Sequence, residues 1–194
     1  MSEPAEQNEG ETTTELVERS RAGDEPALDR LLRRLVPSIR RWLHRLLGPR
    51  PSLDDATQDV LIALARGVDG FRGDASFETY CYRICIRVAH RHLRRERPRP
   101  TLSLVPVHDR VDPESRAIAR ERLSRLYEAL DQLEPDARLA FVLCAIEGRS
   151  PAKAAAICEV PAGTLRVRLH RARREVERLR DLPPDRQPEP GPSR

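Results

Sequence analysis

The stretch Val160-Pro-Ala-Gly-Thr-Leu-Arg-Val-Arg-Leu-His-Arg-Ala-Arg-Arg174 carries an apolar stripe and a dense positive charge on one predicted helix. Leu165, Leu169, Ala172, Val176 and Leu179 recur at three-four spacing. At 100° per residue that spacing gathers them in one band, the expected buried face. Arg166, His170, Arg171, Arg174 and Arg178 fall on the opposite side, and Pro161 with Gly163 marks the turn from which the helix starts. From position 160 to 180, seven Arg oppose only Glu175 and Glu177, an excess too one-sided for a salt-bridged surface helix.

Immediately upstream, Ser150-Pro-Ala-Lys-Ala-Ala-Ala-Ile-Cys158 reads as a shorter helix with Ser150 as N-cap and Pro151 in its first turn. Two helices with a tight turn between them make a helix-turn-helix. The major groove of duplex DNA admits one such helix, whose first residues meet base edges while arginines meet phosphates.

The rest of the chain reads as helix as well. The pattern predicts helices from Thr12 to Gly23 and from Asp24 to Leu47, the second kinked or divided at Pro37. A loop at positions 48–51 follows, and Ser52 with Asp55 resembles a capping box opening a helix that runs to Arg66. Gly67, Gly70 and Gly73 punctuate the next loop, and another helix runs from Ser76 to about Arg95. After a Pro-rich stretch, helices are expected over 113–133, 135–147, 151–158 and 161–180.

These elements define an all-α protein of two small helical domains joined by a flexible linker, the C-terminal one containing the helix-turn-helix. The expected boundaries are 12–96 and 113–180, with the linker at 97–112. Residues 1–11 form an acidic tail expected to be disordered, as is the Pro-rich tail at 181–194. The formal charge is only +4 because the acidic start offsets basic blocks near 83–99 and 166–180. Lys153 is the only lysine. Heavy Arg usage suits phosphate recognition through the planar guanidinium fork, and it is equally what a GC-rich genome encodes.

No apolar run approaches the roughly 18 residues of a membrane span, and the polar N-terminus lacks a signal peptide's apolar segment, so a cytoplasmic protein without membrane insertion is expected. Cys81, Cys85, Cys144 and Cys158 fall at apolar helical positions without a Cys-x-x-Cys pair, which reads as reduced core thiols. Cys81 and Cys85 share a face with His92 nearby, the alternative being a metal or redox site. The expectation is no metal, no cofactor and no catalytic residue, since no clustered ligands or nucleophile–base pair stands out.

Four of the seven aromatic residues, Phe71, Phe77, Tyr80 and Tyr82, cluster in a dozen positions. Two readings stand side by side: stacking on unpaired bases, or core packing. Phe77, Cys81, Ile84 and Val88 line one helical face, which makes Phe77 structural. Tyr80 lies at the edge of that face and Phe71 precedes it. Arg83, Arg87, His90 and Arg94 form a separate stripe suited to a polyanion.

In this order the parts resemble bacterial RNA polymerase sigma factors of the extracytoplasmic-function (ECF) type within the sigma-70 family. Asp54-Asp-Ala-Thr-Gln-Asp-Val60 is similar to the acidic helix by which that family binds core RNA polymerase, with Asp55, Gln58 and Asp59 at matching positions. Phe71-Arg-Gly-Asp-Ala-Ser-Phe77 resembles the loop that captures a flipped base of the −10 element, which implies roles for Phe71, Arg72 and Asp74. The following helix, with Tyr80, Arg83, Arg87, His90 and Arg94, resembles the one that helps melt DNA. Residues 163–173 resemble the helix that reads the −35 element, implying contacts from Gly163, Thr164, Arg166, Val167, His170, Arg171 and, just beyond, Arg174.

The resemblance implies promoter DNA and core polymerase as partners, an anti-sigma factor as regulator, and a linker lying along the nascent-RNA path. The chain departs from the family pattern at Tyr80 (usually Trp), Arg87 (usually Asn), Glu159 (usually Gly), and Ala154 and Cys158 (usually larger aliphatics). The alternative reading is an autonomous helix-turn-helix transcriptional regulator, which needs neither a polymerase-docking surface nor a base-stacking loop.

Overall fold

A computed structural model describes residues 11–95 and 113–180, with side chains described to 95 and from 121 to 179. The expected linker and most of both tails lie outside the described residues. Eight α-helices account for the described chain: α1 (Thr13–Arg21), α2 (Glu25–Leu47), α3 (Leu53–Gly67), α4 (Phe77–Arg95), α5 (Pro113–Asp131), α6 (Pro135–Phe141), α7 (Pro151–Cys158) and α8 (Ala162–Arg180). A 3₁₀ turn at Val68–Gly70 follows α3, and a π turn at Val142–Ile146 extends α6. The all-α expectation holds among the described residues. The described residues divide into two compact units: 11–45 with 51–89, and 46–50 with 90–95 and 113–180.

In the first unit, α1 starts at a full capping box. The Thr12 hydroxyl accepts from the Glu15 amide at 3.2 Å while Glu15 accepts from the Thr12 amide at 2.7 Å. Asp24 then accepts the Ala27 amide at 2.9 Å and pairs with Arg19, which holds its carboxyl below the usual carboxylate range. Helix α2 runs unbroken through Pro37, contrary to the expected kink or division. Pro37 sits at an exposed position, and Leu31, Leu35, Ile39 and Leu43 are buried to 7% exposure or less on both sides of it.

The capping box expected at Ser52 is absent. Ser52 adopts φ −74°, ψ 3° rather than the extended backbone that aims a cap hydroxyl into the helix, and its Oγ is buried without a hydrogen-bond partner. Ala56, Val60 and Leu64 of α3, Val68, and Phe77, Cys81 and Cys85 of α4 complete the apolar interior. The Cys85 thiol is pushed up, first by donating a hydrogen bond to Cys81 and then by burial, and both cysteines are buried. Trp42 meets Tyr82 edge-on with ring centroids 5.2 Å apart.

In the second unit, α8 packs on α5, α6 and α7. Leu165, Leu169 and Ala172 are buried as the stripe predicts, but Val176 and Leu179 are only half-buried. The core-facing stripe ends one turn after Leu169. Ser150 caps α7 by accepting the Lys153 amide at 3.3 Å. The turn into α8 places Glu159 in the left-handed region at φ 56°.

The helix expected over 135–147 changes pitch. Glu147 donates to the Val142 carbonyl at 2.9 Å, five residues back, and Ile146 is left 40% exposed. Arg138 is buried to 1% exposure. Its guanidinium donates to the carbonyls of Leu46 (2.9 Å) and Leu47 and to Asp131, which Arg50 also engages. Every charge-bearing nitrogen of that group meets an acceptor, as burial of a guanidinium requires.

Candidate nucleic-acid and protein interfaces

Three surfaces gather the residues that the sequence singles out. The first is on α3. Ala56, Thr57, Val60 and Leu64 face the core, so Asp55 and Gln58 are exposed and Asp59 is half-buried on the other side, one turn apart on a single surface. Ile62, 41% exposed, lies on the same face one turn further along. Asp54 stands outside this group, because Arg40 holds it at 2.7 Å.

The second surface is the loop between α3 and α4 with the following helix. Phe71, Phe77 and Tyr80 form a three-ring cluster with centroids 5.1 to 5.7 Å apart. Phe77 is buried, whereas Phe71 and Tyr80 keep part of their surface in solvent. The Tyr80 hydroxyl donates to the Gly67 carbonyl at 3.0 Å. Thus the same rings that are available at the surface also brace the loop, a structural role that side-chain periodicity does not register. Arg72 and Asp74 are exposed on either side of Gly73, whose φ of 81° makes the tight bend. Ser76 starts α4, its hydroxyl accepting the Thr79 amide at 3.2 Å.

Along α4 the basic stripe divides by environment. Arg87 and Arg94 are exposed. Arg83 is half-buried, with its Nε enclosed and unpaired among the described residues. His90 belongs to the second unit, where its Nε2 lies 3.1 Å from Asp136.

The third surface is α8. Gly163, Thr164, Arg166, Val167, His170, Arg171 and Arg174 are all exposed, opposite the buried Leu165, Leu169 and Ala172. Gly163 lies inside the first helical turn rather than in the preceding bend, with open space where a Cβ would project. Arg168 and Arg178 are tied down, Arg168 to Asp136 at 2.8 Å and Arg178 to Glu175. That pairing lowers the Glu175 carboxyl below its ordinary range. The helix therefore directs Arg166, Arg171 and Arg174 outward into solvent, from its second turn to past its middle. Such a surface binds a polyanion through phosphates and offers the first turns to base edges.

No described helix is long and apolar enough to cross a membrane. Among the described residues no three His, Cys, Asp or Glu side chains assemble into a metal-ligand group. Burial pushes the Cys158 thiol up to about 11 and raises that of Cys144, the opposite of what a reactive thiol needs.

Comparison with known proteins decides the family. Residues 31–99 match the sigma-70 region 2 model and residues 123–176 match the sigma-70 region 4 model. The RNA polymerase sigma-H factor of Pseudomonas aeruginosa is 31% identical over 180 residues, covering 87% of this chain and 93% of the relative. The ECF RNA polymerase sigma-E factor of Escherichia coli K12 is 30% identical over 174 residues, covering 84% and 91%. The chain belongs to the ECF sigma factors.

Among solved structures, that of CnrH in complex with the cytosolic domain of CnrY aligns with TM-score 0.57 and 25% identity over 86% of this chain and 95% of that one. RpoE in complex with the anti-sigma factor NepR from Bartonella quintana shares the fold, with TM-score 0.51 and 22% identity over 79% and 96%. This sigma factor is accordingly an initiation factor that directs RNA polymerase to promoters rather than an enzyme, and the autonomous regulator is not favoured.

Proposed function

We propose that this sigma factor divides promoter recognition among the three surfaces. Asp55, Gln58 and Asp59 on α3 dock on core RNA polymerase. Phe71, Arg72 and Asp74 in the loop, with Tyr80, Arg83, Arg87, His90 and Arg94 on α4, bind the −10 element and hold its opened strand, by stacking and by phosphate contact. Gly163, Thr164, Arg166, Val167, His170, Arg171 and Arg174 on α8 place the −35 duplex.

Two functional domains, 12–96 and 113–180, carry these tasks, and binding energy alone selects where transcription begins. The work is done in the cytoplasm. An anti-sigma factor is the expected regulator, as the partner named with the structure of the Bartonella quintana RpoE supports.

The observation that carries this reading is the outer face of α8, where Arg166, Arg171 and Arg174 are exposed along the first two-thirds of the helix while Arg168 and Arg178 are tied to carboxylates. The test is to add the full-length chain to core RNA polymerase on genomic DNA and to sequence transcript 5′ ends. A defined new set of start sites that disappears with Arg171→Glu supports the assignment. Start sites unchanged by that reversal reject it.

A further inference from the structure

Val167 is 52% exposed, the most exposed of the three large apolar side chains that face solvent among the described residues. At 100° per residue it points opposite the buried Leu165, Leu169 and Ala172 and lies in the middle of the face formed by Gly163, Thr164, His170 and Arg171. The site around it is open, since a Cβ built on Gly163 meets nothing within 4 Å. Arg168, the next residue, is drawn to Asp136 and does not fold over it. An isopropyl group therefore sits at the centre of a cationic surface, with neither core contact nor side-chain cover.

We propose that Val167 reads the C5 methyl of a thymine in the upstream promoter element, an inference that rests on α8 being the helix that enters the duplex. Phosphates and sugars give a valine nothing it can bond. Of the four bases, thymine alone shows a methyl group in the major groove, while the remaining edge groups are donors and acceptors that an apolar side chain leaves unsatisfied. Valine's branched Cβ also restricts χ1, so little side-chain freedom is lost when the contact forms. Specificity at that base pair would come from apolar contact, and the flanking arginines would supply affinity without choosing sequence.

The test uses holoenzyme assembled from the full-length chain and core RNA polymerase, on promoter duplexes identified by transcript 5′-end mapping. Each thymine of the upstream element is replaced in turn by deoxyuridine, which lacks only the methyl. One replacement should weaken binding about fourfold, the worth of one buried methyl-sized group. Val167→Ala should bind the thymine and deoxyuridine forms of that duplex equally. The inference is overturned if wild type is indifferent to every replacement, if the upstream element contains no thymine, or if Val167→Ala keeps the same methyl dependence.

The underlying reading has its own control, a duplex whose upstream element is scrambled. Loss of binding on scrambling together with indifference to deoxyuridine rejects the role of Val167 alone. Binding that survives scrambling rejects both.

Discussion

The hydroxyl of Tyr80, in the first turn of α4, donates to the carbonyl of Gly67, the last residue of α3, at 3.0 Å. A side chain at residue 67 would intrude, because its Cβ would stand 2.6 Å from that hydroxyl. The pair thus closes the base of the loop that carries Phe71, Arg72 and Asp74, and ring contacts among Phe71, Phe77 and Tyr80 hold the loop above it. A loop that binds a flipped base benefits from such bracing, since less order has to be imposed on binding.

Tyr80→Phe should cost about 1 kcal/mol of stability through the lost hydrogen bond, with the ring packing retained. Gly67→Ala should destabilise the wild type by displacing the hydroxyl. In the Tyr80→Phe background the same change should become stabilising by about 0.5–1 kcal/mol, because alanine outranks glycine in a helix and nothing is left to displace. Urea unfolding of the two single variants and the double variant measures this coupling.

Asp55→Arg reverses a charge at the N-terminal edge of the exposed α3 face. Affinity for core polymerase should fall at least tenfold, while stability changes by no more than about 0.5 kcal/mol, the usual range for a surface site. Fluorescence titration with core polymerase, alongside thermal unfolding, separates the two quantities.

Arginines on α8 should differ in the salt response of promoter binding. An arginine that neutralises one phosphate contributes about 0.9 to the log–log salt slope. Arg171→Ala and Arg174→Ala should each reduce the slope by that amount in holoenzyme titrations from low to high salt. Arg178→Ala should leave the slope nearly unchanged, because Arg178 is already paired with Glu175.

Glu159 occupies φ 56° between α7 and α8, where a Cβ is crowded and glycine is not. Glu159→Gly should stabilise the protein by about 0.5–1 kcal/mol after the greater unfolded-state entropy of glycine is subtracted. The thermal midpoint should rise by a few degrees, with DNA binding unaltered.

Acid should loosen the α1–α2 corner. The Ala27 amide and Arg19 hold the Asp24 carboxyl below its ordinary value, so the folded pKa lies under the unfolded one. Its contribution is complete above the unfolded pKa, about 4, and is lost as pH falls through the folded pKa. Asp24→Asn should flatten this part of the stability profile, measured by unfolding between pH 2 and 6.

Helix positions were legible because start signals are local. Ser150 with Pro151 and the apolar spacing of Leu165, Leu169 and Ala172 act within one or two turns, and the structure places them as read. Features that depend on what lies across the fold were not. Pro37 is tolerated because the flanking leucines and isoleucine anchor α2 on both sides, which composition cannot show. Arg138 reads as one more surface arginine, and only the carbonyls of Leu46 and Leu47, some ninety positions away in sequence, reveal why it is inside. Ser52 has the right residue type for a cap but the wrong backbone angles. In the candidate site, residue types identified the three surfaces, while the bracing role of Tyr80 and the tethering of Arg168 and Arg178 came from partners invisible to spacing.

The π turn at Val142–Ile146 takes up one residue's worth of rotation at the entrance to the helix-turn-helix. Ile146 follows Leu139 by seven positions and would share its buried direction in an uninterrupted α-helix. The wider turn delays the rotation by nearly one residue, which is why Ile146 emerges into solvent. Deleting a single residue there would return the backbone to ordinary pitch yet leave Ile146 six positions after Leu139, still turned from the core, so the chain would leave α6 for Ser150 at nearly its present phase. Straightening the turn at full length would instead swing Ile146 inward and re-aim everything the segment carries.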